Sequence, residues 1–487
     1  MNLEKIGTGF LMMTLCFSAC NEMDPTPSEP DGTEEKPDTT EVVVPVTPGQ
    51  INDPGIAYLW DESIIPEITV SMTTDEWNRL LKRYDEFSHN VDYFHADFTY
   101  RKGNEVFEIK DGGIRLRGNT SRRRPEGNGG QEHDAVNPDW HHCHFGINFR
   151  KFHKDDEHTI KGIRKVNLKW FKDDPCYVRE LFCYDLFRRY GIWTAAHDIY
   201  CRLWLKIGDS EPAYYGVYQM IEPIDDEFIE KRVDGMFGND KGFLWKCGYA
   251  DGPADLNGLD GSWSIDLDNG VNYTYEFKGD EDDYDTAKEQ LEDFILKLQG
   301  KGEESFYNWI KTVCDVEFLL KTYAVNVAVG MCDDHWNNGN NFYLYFNTKD
   351  KFDYQLFFLP YDYDNTLGTS WHIGVTSDPG RQDPYNWGDT GLLMERLMRF
   401  DEFRKIYRDA LQELVDPENG LMDTDASMAR IKAWQERISP YVSNDTGEDM
   451  SIYDKAADWG NLHDYKLMTK GNNNYFEVKT KTINSMQ

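Results

Sequence analysis

The stretch CDDHWNNGNNFYLYFNTKDKFDYQLFFLPYDYDNTLG, residues 332–368, decides how the rest of the chain is read. It opens on a polar loop with Asp333, Asp334, His335, Asn340 and Asn341, then enters the aromatic run 342–346. Turn residues 347–353 lead to a second apolar run, 355–359, which delivers Pro360 and the acidic loop Tyr361, Asp362, Tyr363, Asp364. Short aromatic runs bounded by turn residues read as β-strands, and two of them joined by a turn as a hairpin. Hairpin strands are antiparallel, so the outer loops meet at one end. The Asp334/Asn341 loop and the Asp362/Asp364 loop therefore face each other and cluster oxygen ligands suited to a hard cation such as Mg²⁺.

The order of these groups carries a second message. An Asp, an Asn just before a strand, a turn, a second strand and a metal-type Asp near a Gly is how protein kinases present their catalytic and metal loops. Without that order, the same acids read as solvated loop residues beside an ordinary hairpin.

Working outward, 487 residues accommodate one large α+β domain or two to three average ones. The aromatic share of 14% implies many strands and a cleft or surface rich in Trp and Tyr. A net charge of -35 argues against nucleic acid as a partner, because phosphate backbones are held by clustered Lys and Arg. A free nucleotide needs only a local basic lining. The nine Cys include no CxxC pair, so neither a zinc ribbon nor a dense disulfide framework is indicated.

Residues 1–20 read as a leader, with Lys5, an apolar run at 9–17, and Phe17, Ser18, Ala19 directly before Cys20. Small residues ahead of a Cys resemble a bacterial lipobox, which implies lipidation of Cys20 and anchoring to an outer membrane or cell surface. Residues 21–50 hold six prolines and eight acids against Lys36, with almost nothing to pack, and read as a disordered tether.

The globular region starts at residue 51. Strands are expected at 65–72, 92–100, 105–110, 113–117, 165–170, 199–207 and 214–221. Helices are expected at 74–84, 177–189, 286–299, 316–330, 392–400, 402–415 and 426–438. The loop after the strand at 113–117 gathers Arg115, Arg117, Arg122, Arg123 and Arg124 around Gly118, Asn119, Thr120 and Ser121. Gly lets the backbone approach an anion and Arg grips one bidentately, although an Arg-rich turn facing solvent fits the same residues. Lys169 on a strand and Glu180 on the next helix suit the pairing that holds ATP phosphates in kinases, or a simple ion pair.

Taken together, GIRLRGNTSR at 113–122, KVNLKWF at 165–171, YYGVYQMIEPIDDEF at 214–228, the Asp/Asn loop and PYDYDNTLG at 360–368 resemble the spore-coat CotH family of atypical secreted protein kinases. The resemblance spans roughly residues 55–415. It implies a diverged protein-kinase-like fold with a β-rich N-terminal lobe and a more helical C-terminal lobe, occupying 51–440. It also implies ATP with Mg²⁺ or Mn²⁺, and Ser or Thr acceptors in exported proteins or in the chain itself. In those terms Asp334 positions or deprotonates the acceptor hydroxyl, with Asp333 as its alternative. Asn341 and Asp362 hold the metal, with Asp364 as alternative, while Lys169 and Arg117, with Asn119 and Ser121, receive phosphate. Glu222 borders the nucleotide pocket.

One departure stands out: relatives carry Lys in a pattern like HFKI, where this chain has His144, Phe145, Gly146, Ile147. That leaves a nucleotide-binding pseudokinase open. A surface glycan-binding or adhesion lipoprotein is also open, its sugars stacking on residues such as Trp263 and Trp371. His142 and His144 offer a transition-metal pair only if two further ligands join them. The acid-rich loop 250–270 lacks EF-hand spacing. Residues 441–487 show no periodic pattern.

Overall fold

The computed structural model describes residues 51–257, 264–268, 271–369, 378–457 and 464–486. The leader, Cys20, the tether, Trp263 and Trp371 lie outside the described residues. Among those described, no helix is long and apolar enough to cross a membrane.

A short helix, Pro54–Leu59 (α1), precedes strand Glu67–Met72 (β1), whose alternate residues Ile68, Val70 and Met72 point into a core. Helix Thr74–Glu86 (α2) begins where Thr73 Oγ1 accepts the Glu76 amide at 3.2 Å. Asp75 and Glu76 sit at its positive end, and Trp77, Leu80 and Leu81 form the buried stripe. Strands Phe94–Lys102 (β2), Glu105–Arg117 (β3), His144–Asn148 (β4) and Lys165–Lys169 (β5) follow, then helix Arg179–Arg189 (α3) and strands Asp198–Ile207 (β6) and Ala213–Ile221 (β7). The seven strands close into a barrel in the order β1-β2-β3-β4-β5-β7-β6, sealed by parallel pairing of β1 with β6. Closure removes every free edge.

Where two strands were expected at 105–110 and 113–117, there is one. The pairing of β2 with β3 slips between Ala96 and Phe98, and Asp111 at the slip has φ of 55°. A β-bulge absorbs the turn-like Asp111, Gly112, Gly113 without ending the strand. Asp97 Oδ1 accepts the Asp111 amide at 3.0 Å and fixes the kink.

Helix Asp226–Glu230 (α4) leads to strand Phe243–Cys247 (β8). Strands Ile265–Leu267 (β9) and Tyr275–Phe277 (β10) precede helices Tyr284–Gly300 (α5), Glu303–Val313 (α6) and Val316–Ala328 (α7), then strands Phe342–Phe346 (β11) and Leu356–Pro360 (β12). The strands form a second sheet, β12-β11-β8-β10-β9. The hairpin of β11 and β12 pairs Phe342 with Pro360 and Phe346 with Leu356, so its outer loops do meet. Helix α7, buried on almost every side, packs on α3 and β12 and against Asp401–Val415 (α9), which follows Leu392–Leu397 (α8).

The segment without a periodic pattern is built into this core. Helix Thr424–Ile438 (α10) is followed by a strap in which Asp445 N donates to Tyr214 O at 2.8 Å, and by helix Tyr475–Asn484 (α11). The hydroxyl of buried Tyr475 donates to Ala328 O at 3.0 Å. It also fills the space that a Cβ on Gly330 would need, and Gly330, at φ of 76°, is the turn that delivers the Asp333 loop. Tyr475→Ala is expected to cost about 3 kcal/mol of stability in denaturant titration.

Beyond β7, Glu222 accepts both Arg232 terminal nitrogens, at 2.7 and 2.6 Å, and the His197 amide at 3.0 Å. Burial raises the carboxyl, but the Arg232 charge and these hydrogen bonds outweigh it and hold Glu222 well below the ordinary range. A depressed carboxylate stabilises the fold above its unfolded-state pKa, and that contribution is lost as pH falls. Glu222→Gln is therefore expected to lose about 3 kcal/mol at pH 7, the lower end for breaking a buried pair. The gap from wild type should narrow in acid unfolding below the normal glutamate range.

Candidate functional site

A cleft of about 1580 Å³ lies between the barrel and the second sheet, bordered by Asp333, Arg117, Asn119, Ser121, Lys169, Asn341, Asp362 and Asp364 but not by Asp334, Glu180 or Glu222. Its floor is the end of the hairpin. Asn341 and Asp362 flank the first and last paired residues of β11 and β12, and both take left-handed backbone, with φ of 55° and 64°. Asn and Asp tolerate that region better than other L-residues, and here it accompanies two side chains that line the cleft.

Lys169, the last residue of β5, reaches this end. Its Nζ lies 2.6 Å from Glu180 Oε2, 2.7 Å from Asp362 Oδ1 and 3.7 Å from Asp364 Oδ2. Glu180 comes from the first turn of α3 and is braced by the Tyr363 amide at 3.1 Å. Burial opposes the charge on Lys169, but Asp362, Glu180 and Asp364 outweigh it and push the ammonium well above its usual range. Asp362 is lowered: burial opposes ionisation, but Lys169 and then Arg117 dominate. Asp364 is pushed up to about 8 by burial and the charge of Asp362. Three carboxylates thus share one lysine.

The adjacent acids Asp333 and Asp334 separate sharply. Asp333 borders the cleft and accepts from Asn338, Asn340 and Asn341 at 2.6, 3.0 and 3.0 Å. Asp334, expected as the base, is turned away from it. Its carboxylate accepts the Asn337 amide at 2.9 Å and the Asn326 side chain, and Asn326 in turn accepts from Tyr363 at 2.6 Å. Burial raises Asp334 to about 7. Asp334 is a post tying α7 to both loops, and the cleft-facing acid is its alternative, Asp333.

Asn338 was not anticipated, although its spacing was available: Asp333 and Asn338 reproduce the D-x-x-x-x-N interval of a kinase catalytic loop. Lys246 of β8 also lines the cleft and was missed because its strand was not foreseen.

The Arg-rich loop divides between two jobs. Arg122 donates to the carbonyls of Gly118, Ser88 and Asn90, Arg123 binds Glu448 at 2.7 Å, and Arg124 binds Asp85 at 2.9 Å. These hold the loop. Arg115, Arg117, Asn119 and Ser121 line the cleft, where Arg117 donates to the Tyr361 hydroxyl at 3.2 Å and Asn119 accepts from Asn272 at 3.1 Å.

Arg115 pairs across the β3–β4 ladder with Gly146, and a Cβ on Gly146 would lie 3.3 Å from Arg115 Nε. That nitrogen is buried without an acceptor. The space a side chain at 146 would occupy is therefore bordered by a cation from the neighbouring strand.

Several expectations resolve differently. Glu222 does not line the cleft, being held by Arg232 and His197. His144 accepts the Trp170 amide at 3.1 Å, while His142 stacks on Tyr218, so the two share no ligand position. Asp251 of the acid-rich loop is occupied by Ser264 and Thr274. The seven described cysteines are all buried.

A search of curated proteins returns no match. A family model described as "CotH kinase protein" matches residues 114–469, which contain the C-terminal end of β3, β4 through α10 and the whole cleft-lining hairpin. The chain belongs to the CotH kinase family.

Proposed function

We propose that this chain is an ATP-dependent phosphotransferase, an atypical kinase acting on Ser or Thr hydroxyls of exported proteins or of itself. The observation that carries the reading is Lys169 held between Glu180 and Asp362 at the floor of the cleft. A strand lysine fixed by a helix glutamate, next to a loop aspartate, is the phosphate- and metal-holding unit of kinases. On this reading the barrel is the β-rich lobe of a diverged kinase-like fold, and the second sheet with α5–α11 is the more helical lobe.

The donor set suits Mg²⁺ or Mn²⁺. Asp362, Asp364 and Asn341 present only oxygen donors, and the raised Asp364 carboxyl marks more negative charge than Lys169 offsets. These three residues would hold the cation, which would offset the negative charge of the donor's phosphates. Lys169, Arg117 and Lys246 receive phosphate oxygens, with Asn119 and Ser121 on the loop above them. Arg115 stands in for the Lys missing at Gly146. Asp333, oriented by three amides, positions the acceptor hydroxyl and takes its proton as the hydroxyl oxygen bonds to the γ-phosphorus and the bond from that phosphorus to the β-phosphate oxygen breaks, releasing ADP. Loose phosphoryl-transfer transition states need placement and charge stabilisation more than a strong base, which suits a carboxylate so fully hydrogen-bonded.

The lipobox-like Phe17-Ser18-Ala19-Cys20 and the tether after it support a lipid anchor on Cys20, holding the enzyme at a bacterial surface outside the cytoplasm.

The deciding measurement is transfer of labelled γ-phosphate from ATP, with Mn²⁺ or Mg²⁺, to the chain itself and to a Ser-rich acceptor. Asp362→Ala should abolish label, a loss on the order of 10²-fold or more. Asp333→Asn should still bind ATP while losing transfer. Absence of both ATP binding and label in the folded wild type would retire the kinase reading in favour of glycan binding.

Arg115→Ala should weaken ATP about tenfold, the scale of one charge-assisted hydrogen bond, and Gly146→Lys in that background should recover it. Unchanged ATP affinity in Arg115→Ala would remove Arg115 from the site.

A further inference from the structure

The loop from β4 to β5 carries His153, Asp155 and His158, and one ligand atom from each lies within 4.8 Å of the others. None of the three lines the cleft. The imidazoles of His153 and His158 stack face to face, 4.2 Å apart and inclined by 15°. His158 Nδ1 lies 2.5 Å from Asp155 Oδ1. Beneath them the β3 bulge aims Asp111 upward, with Oδ2 2.7 Å from His153 Nε2 and Oδ1 2.5 Å from Nδ1 of His95. A carboxylate on one ring nitrogen is how proteins fix the tautomer and direction of a metal-bound imidazole. Two stacked rings beside a carboxylate concentrate lone pairs at one point, which is unfavourable unless protons or a cation stand between them.

We propose that His153, Asp155 and His158 form a Zn²⁺ site, with Asp111 orienting His153. Two imidazoles and one carboxylate, leaving a fourth position to water, are a three-ligand zinc set, whereas Mg²⁺ and Ca²⁺ prefer all-oxygen sets. Bonds of about 2.1 Å place tetrahedral donors ~3.4 Å apart. Side-chain rotation in a partly exposed loop brings donors within 4.8 Å to that spacing. The ion would brace the β4–β5 loop and, through the contact of His153 with Asp111, tie it to the bulge of β3. The site is independent of the phosphotransferase reading, since it shares no residue with the cleft.

The test is calorimetric titration of the chelator-stripped full chain with Zn²⁺ alone, with Mg²⁺ as comparison, and melting temperature followed in parallel. One equivalent of Zn²⁺ should bind and raise the melting temperature. His158→Ala should weaken that equivalent at least tenfold, Asp111→Asn by about tenfold, and His158→Cys, which keeps a ligand, should retain it. Asp362→Ala should leave it untouched. The proposal is overturned if no zinc binds, if the equivalent survives His158→Ala unchanged, or if it disappears in Asp362→Ala.

Discussion

The interaction on which the architecture turns is one buried ammonium shared by three carboxylates. Lys169 ends a barrel strand, Glu180 lies in the first turn of α3, and Asp362 and Asp364 follow the end of the second sheet's strand β12. A lysine in that position is tolerable only because its charge is matched, and the carboxylates are tolerable only because it is there. The pair therefore locates the two sheets relative to each other. It also leaves surplus negative charge, which gives the cleft a use for a cation.

Around that point the chain separates holding from facing. Asp334, Asn326 and Tyr363 form a buried relay that fixes both loops from behind, while Asp333, Asn341 and Asp362 line the cleft in front. The arginines divide similarly: Arg123 and Arg124 are tied to carboxylates, Arg122 is held by carbonyls at the cleft's border, and Arg115 and Arg117 face the cavity. A protein of net charge -35 thus keeps a local basic wall where an anion would sit.

Much of this was legible in the sequence. The hairpin at 342–360 announced itself because aromatic runs and turn residues alternate cleanly, and pairing geometry then brought its loops together. Lys169 and Glu180 were visible as a strand lysine ahead of a helix glutamate. What stayed hidden follows physical rules as well. Strands β9 and β10 have three residues each, too few to show a period, and the short, mostly buried run of β8 is equally helix-like. The bulge at Asp111 looks like a turn because it uses turn residues. Whether Asp333 or Asp334 enters the cleft depends on the loop path after Gly330, which no local propensity encodes. Helix α11 does bury a stripe, Tyr475, Phe476, Val478 and Ile483, but it is one short helix after a long polar, aperiodic stretch, and stays hidden for that reason.

The Gly146 position shows how a sequence departure changes meaning in three dimensions. Along the chain, the absence of Lys from the HFKI-like pattern reads as loss of a cation. Across the ladder, Gly146 pairs with Arg115, and removing one long side chain frees volume that its neighbour occupies. Two long cations at directly paired positions on one face would crowd and repel. The glycine and the arginine are therefore best considered together: beside Gly146, Arg115 of β3 keeps a positive charge at the wall of the cleft.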